Sequence, residues 1–125
     1  MAGYTIDADD VDQVLALIRG VEGIRSVDLE AAKVNAPGVW LNVLGYRLDR
    51  LAAGAYTLDT QLVLIVPDQE PARARKALLE LLNLVLTVVK PSGRVEHRTV
   101  VVPDTPAPLP GLAFPFVVNC VPTIP

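Results

Sequence analysis

Residues 39–66 restrict this chain more than any other stretch. The run "VWLNVLGYRLDR" (39–50) is followed, after "LAAG", by "AYTLDTQLVLIV" (55–66). In the second run Tyr56, Leu58, Leu62, Leu64 and Val66 alternate with Thr57, Asp59 and Gln61. A period of two is the mark of a strand with one buried face. In the first run Trp40, Leu44, Tyr46 and Leu48 fall on one face, and Val39, Leu41 and Val43 on the other. Two such runs joined by small residues predict a long antiparallel hairpin. A strand over residues 39–50, at about 3.3 Å per residue, spans ~40 Å. A compact domain of 125 residues is only ~36 Å across. The hairpin must therefore curl, with Gly45 and Gly54 available for bending, or its charged end at Arg47, Asp49 and Arg50 must protrude.

The rest of the chain supplies what the hairpin packs on. In "DDVDQVLALIRG" (9–20), Val11, Val14, Leu15 and Ile18 make one apolar stripe at helical spacing. Asp7, Asp9 and Asp10 suit its positive N-terminal end, and Gly20 or Gly23 ends it. Residues 25–33 read equally as a short strand or a weak helical turn. A second helix opens at Pro71, with Asp68, Gln69 or Glu70 ahead of it. Its apolar face runs through Leu78, Leu81, Leu82, Val85, Val88 and Val89, and "PSG" (91–93) stops it. Two further strands follow, over 95–103 and 112–121. Between them lies "PDTPAPLPG", a stiff crossover by its prolines, which have no place in a central sheet. The order predicts one domain over residues 1–125. Its class is α+β: an antiparallel or mixed β-sheet with a long hairpin, flanked by two main helices.

Composition narrows the function. Half of the residues, 51%, are hydrophobic, which is high for a chain this small. Part of that apolar surface is expected to lie outside the monomer's own core and to meet a partner. The net charge is −3, with no run of Lys or Arg, so the chain is not expected to grip nucleic acid. The single cysteine, Cys120, excludes an internal disulfide. The acidic N-terminus does not read as a signal peptide. The apolar stretch 78–89 is interrupted by Glu80, Asn83 and Thr87 and is too short to cross a bilayer. A soluble, cytoplasmically made protein with no membrane partner is expected.

Chemistry-bearing motifs are sparse. The only histidine, His97, sits in a strand pattern between Glu96 and Arg98. Its candidate nucleophiles, Cys120, Ser26 and Ser92, lie in no nucleophile-type turn. "DADDVD" (7–12) fails as a calcium loop because Val11, Asp12 and Ile18 occupy the fifth, glycine and closing-glutamate positions. One cysteine and one histidine cannot make a structural zinc site. No catalytic residue, metal ligand or cofactor is expected.

The ordered series "GVWLNVLGYRLDRLAAGAYTLDTQLVLIVPD", a helix ending "LLNLVLTVV", and "VVVPDTPAPLPGLAFPFVVNC" resembles the tail terminator proteins of long-tailed, siphovirus-type phages, especially those of actinobacteria. The resemblance covers roughly residues 5–121, and its strongest pieces are the Trp40 strand, "LVLIVPD" and "VVPDTPAPLP". It implies an α+β subunit of a homo-oligomeric ring, typically a hexamer, on the head-proximal end of the virion tail. Such a ring stops polymerisation of the major tail tube protein and docks the head–tail connector protein. Genomic DNA passes through its lumen unread. The family carries no catalytic residues. Arg47, Asp49, Arg50 and Leu51 at the hairpin end, and Asp104, Pro106 and Pro108 in the proline stretch, are the candidate assembly contacts. The alternatives are a head–tail connector or neck component and, from another class, a small peptide-binding module.

Overall fold

A computed structural model describes residues 10–24, 26–30, 33–48, 56–101 and 107–120. Its elements are α1 (Asp10–Arg19), β1 (Val27–Asp28), β2 (Gly38–Arg47), β3 (Tyr56–Ile65), α2 (Pro71–Val85), β4 (Glu96–Val100) and β5 (Leu109–Cys120). The strands form one five-stranded sheet in the order β1-β2-β3-β5-β4. β1 is parallel to β2, and every other neighbouring pair is antiparallel. The fold is therefore α+β with a mixed sheet. Within the ambiguous stretch 25–33, Val27 and Asp28 form the two-residue strand β1, next to the Val39 N–H donating to the Ser26 carbonyl (2.8 Å).

Both helices lie on one face of the sheet. Val14, Leu15 and Ile18 of α1, and Ala74, Leu78, Leu81 and Val85 of α2, pack with Val39, Leu41, Leu62, Leu64, Leu112 and Phe114. The spacing of the buried α2 residues is the i, i+4, i+7, i+11 stripe of a helix with one apolar face. Pro71 occupies the first helical position, and the Glu70 side chain is the N-cap. Helix α2 ends at Val85, short of the expected apolar run, yet Val89 is still buried in this core after the chain turns. Among the described residues, a second apolar cluster covers one end of the other sheet face. There Val63, Ile65, Val100, Leu109 and Ala113 pack with Val34, Ala36 and Trp40. Trp40 Nε1 donates to the Leu29 carbonyl (2.9 Å).

The expected long hairpin is present as β2 and β3, and β5 pairs with β3 along its length, from Tyr56–Cys120 to Ile65–Gly111, so β3 is a central strand. One expectation, on the prolines, is corrected. Pro110 and Pro115 lie inside β5, between β3 and β4. A strand residue turns its N–H and C=O to the same side. Pro115 turns away from β3, its carbonyl accepting from Ser92 N–H (2.9 Å), and β4 ends before it at the Glu96–Ala113 pair. Pro110 sits past the last β3–β5 pair, where its carbonyl accepts from Val66 N–H (3.2 Å). Each proline thus stands where no ladder bond needs its missing N–H.

Candidate assembly surface

The expected contact residues fall at opposite ends of the sheet. Arg47 closes β2, and its Nε lies 2.7 Å from Asp59 Oδ2. Arg47 faces Thr57 in the ladder, one pair along from Asp59, so the ion pair is a diagonal cross-strand contact on the sheet face away from the helices. The Asp59 side chain is only 23% exposed, and its Oδ1 is buried with no partner among the described residues. Pro108 precedes β5 at the far end, where its carbonyl lies 3.5 Å from Gln69 Nε2. Ten residues of β5 separate those two levels, ~33 Å of strand, so Arg47 and Pro108 do not form one patch. Asp49, Arg50, Leu51, Asp104 and Pro106 lie outside the described residues.

A feature not seen in the sequence pattern lies along β2. The β2–β3 register shifts between Val43 and Gly45, leaving Leu44 without an opposite residue. This is a β-bulge, and one extra residue exchanges the two faces of everything beyond it. Val39, Leu41 and Val43 face Leu64, Leu62 and Thr60, and past the bulge Tyr46 faces Leu58. Tyr46 therefore joins the helix-bearing face, opposite to Trp40, and the expected single face of Trp40, Leu44, Tyr46 and Leu48 is broken. The Tyr46 and Tyr56 rings lie 5.9 Å apart. Leu44 is 61% exposed, and Tyr46 and Leu48 are also exposed. β1 pairs only with Val39 and Trp40, so no described strand flanks β2 beyond them.

The opposite edge of the sheet is β4. Its residues Glu96 to Thr99 are exposed. Arg98 reaches over the small residues of β5 to donate to Gln61 Oε1 (3.0 Å). On the helix-bearing face a groove of about 430 Å³ separates β4 from α2. Pro71, Ala74 and Leu78 form its helix wall, and His97, Thr99 and Pro110 form its strand wall. Arg75 stands at its rim. Among the described residues, no serine or cysteine lines it. A second cleft of about 480 Å³ lies at the Arg47–Asp59 pair and includes Ser92 and Pro115.

Among the described residues no group of three His, Cys, Asp or Glu side chains is placed to hold a metal. No described helix is long and apolar enough to cross a membrane. Glu70 has its pKa lowered by the backbone N–H groups of Arg73 (2.8 Å) and Ala72 (3.2 Å), which is a helix-capping effect. What the surface offers is apolar side chains at one sheet edge and an apolar hollow at the other. Comparison with known protein families, curated proteins and solved structures finds no match for this chain.

Proposed function

We propose that this chain is a tail terminator protein of a long-tailed phage. In this reading copies of the chain form a ring on the head-proximal end of the tail tube, end its growth and present a docking surface to the head connector. The reading rests on the ordered sequence resemblance. The observation that carries it furthest is the exposed apolar edge at Leu44, Tyr46 and Leu48 beside Arg47. Apolar side chains along a strand edge are what an assembling subunit offers a neighbour. The direct test is capping. Purified protein added to polymerising tail tubes should halt elongation and be found at one tube end. Tubes that keep growing, with no protein bound, sink the reading. Binding to portal–adaptor complexes instead of tubes would make the chain a connector or neck component.

The α2–β4 groove favours a second reading, a small peptide-binding module, because an open strand beside a helix is a known way to hold an extended segment. That reading expects a monomer whose groove takes a separate partner, and light scattering across a concentration series distinguishes the two.

A further inference from the structure

The backbone of the edge strand β4 shows which of its polar groups the sheet leaves unused. Pro115 of β5 turns its carbonyl toward the β4 side, where it accepts from Ser92 N–H (2.9 Å). Ala113 and Gly111 turn the same way by the strand period, and they stand opposite Glu96 and Arg98. Glu96, Arg98 and Val100 therefore bond β5, while His97 and Thr99 turn their N–H and C=O outward. Among the described residues β5 is the one strand that pairs with β4. The outward groups form a short template for a further strand.

The groove lies beside that template. His97 and Thr99 stand opposite Leu112 and Pro110, on the helix-bearing face, and across the groove from them are Pro71, Ala74 and Leu78. A strand added to β4 sets alternate side chains over this apolar wall. Val101, one residue past β4, is 78% exposed and adds apolar surface at the end of the edge. Charge selects the positions between. Among the described residues no Asp or Glu lines the groove, and Arg75 stands at its rim without an ion pair, whereas Arg73 lies 3.6 Å from Glu70. On the opposite sheet face Arg98 is exposed and bonds the neutral Gln61 amide (3.0 Å), while Arg94 and Glu96 pair with each other (3.8 Å). An added strand would thus meet one uncompensated guanidinium on each of its faces. The side chain opposite Arg98 would lie about 5 Å from it, Cβ to Cβ.

We infer that the β4 edge and the α2–β4 groove bind an extended segment of a partner protein in which apolar and acidic residues alternate. Its backbone pairs with His97 and Thr99, its apolar side chains lie over Pro71, Ala74 and Leu78, and its carboxylates face Arg98. Arg75 adds attraction from the rim. The β4 strand of a second copy suits the site less, because it brings His97 and Thr99, both polar, to an apolar groove. The inference rests on the peptide-binding reading of the groove, names the chemistry of the partner, and does not depend on the ring.

The test is fluorescence anisotropy at physiological salt, with the full chain and short labelled peptides in which valine alternates with glutamate, threonine or lysine. The glutamate peptide should bind about tenfold more tightly than the threonine peptide, and the lysine peptide more weakly than either. Arg98→Glu should reverse that order. Thr99→Pro removes an N–H that points away from the sheet, so it should leave the melting temperature unchanged and abolish binding of every peptide. Should Thr99→Pro fail to fold, Arg98→Glu still decides. Glutamate and threonine peptides bound alike would overturn the acidic partner and leave a peptide groove standing. Parent affinity in a folded Thr99→Pro chain would overturn strand addition. A parent chain that binds none of the peptides overturns this inference and the peptide-binding reading together. A dimer of the parent chain that Thr99→Pro abolishes would overturn the inference in favour of a second copy at the edge.

Discussion

Gly38 is the residue whose backbone leaves least room. A Cβ built there would lie 2.5 Å from Val34 Cγ1 and 2.7 Å from the Asn35 carbonyl oxygen. One of those neighbours is backbone and cannot swing aside, so Gly38→Ala should lower stability by about 1–3 kcal/mol. Chemical denaturation followed by Trp40 fluorescence checks this. A variant as stable as the parent would show that the 34–38 turn repacks freely. Glu70 gives a second residue-scale prediction, and its sign follows from linkage. Its folded pKa lies below the ordinary 4.5 because two backbone N–H groups bond the carboxylate. The stabilisation is present above the unfolded value and lost as pH falls through the folded one. Glu70→Ala should therefore melt at a lower temperature than the parent at pH 7, and the gap should shrink steadily below pH ~4. A gap unchanged at pH 3 would exclude the carboxylate cap as its cause. The cap was legible as one of three candidates before Pro71. The sequence did not single out Glu70, because Asp68, Gln69 and Glu70 can all accept hydrogen bonds and only the backbone path selects among them.

At the scale of elements, both helices and both long strands were readable because their buried residues repeat at clear periods. The 10-residue strands β2 and β3 lie within a residue or so of the expected hairpin at most of their ends. Two features escaped for one physical reason: each depends on a partner strand distant in sequence. The bulge at Leu44 is defined by β3, and without it Trp40 and Tyr46 seem to share a face. The prolines of β5 read as strand breakers until the neighbours show which N–H groups the ladder leaves idle. The bulge has a measurable consequence. With Leu44 deleted, Val43 still meets Thr60, and Gly45, Tyr46 and Arg47 still meet Asp59, Leu58 and Thr57, now as an unbroken alternation. The Arg47–Asp59 pair and the Tyr46–Tyr56 contact are kept. The deletion should therefore change stability by no more than ~1 kcal/mol, whereas one residue inserted between Gly45 and Tyr46 sends Tyr46 and Arg47 to the opposite faces and should cost ~2 kcal/mol or more. Equal effects from the two, read by denaturant midpoints, would mean that the bulge carries no register information.

At the scale of the molecule, the described residues put apolar clusters on both faces of the sheet at one end, where Val63 and Ile65 are as deeply buried as Leu62 and Leu64. Nearer the hairpin end the face away from the helices is polar, with Thr57, Asp59 and Gln61 on it, and Arg98 bonds Gln61 there. Charge is spread with the same lack of concentration. Arg73, Arg75 and Lys76 are exposed on α2, but their positions point them around the helix, with Arg75 toward the groove and Arg73 back toward Glu70 (3.6 Å). Cations close together in sequence are thus spread around α2 rather than gathered on one side of it. The overall charge of −3 adds a mild repulsion for phosphates. If DNA passes this protein rather than being held by it, the chain should bind duplex DNA no more tightly than a Kd of about 10⁻⁴ M at physiological salt. Fluorescence anisotropy with a short labelled duplex, on the chain alone and on any ring it forms, gives the answer. The assembled case matters most, because ring closure could gather α2 from every copy around one opening. Tight binding that weakens steeply with added salt would reveal a basic lumen, and the function would then be to grip DNA rather than to let it slide.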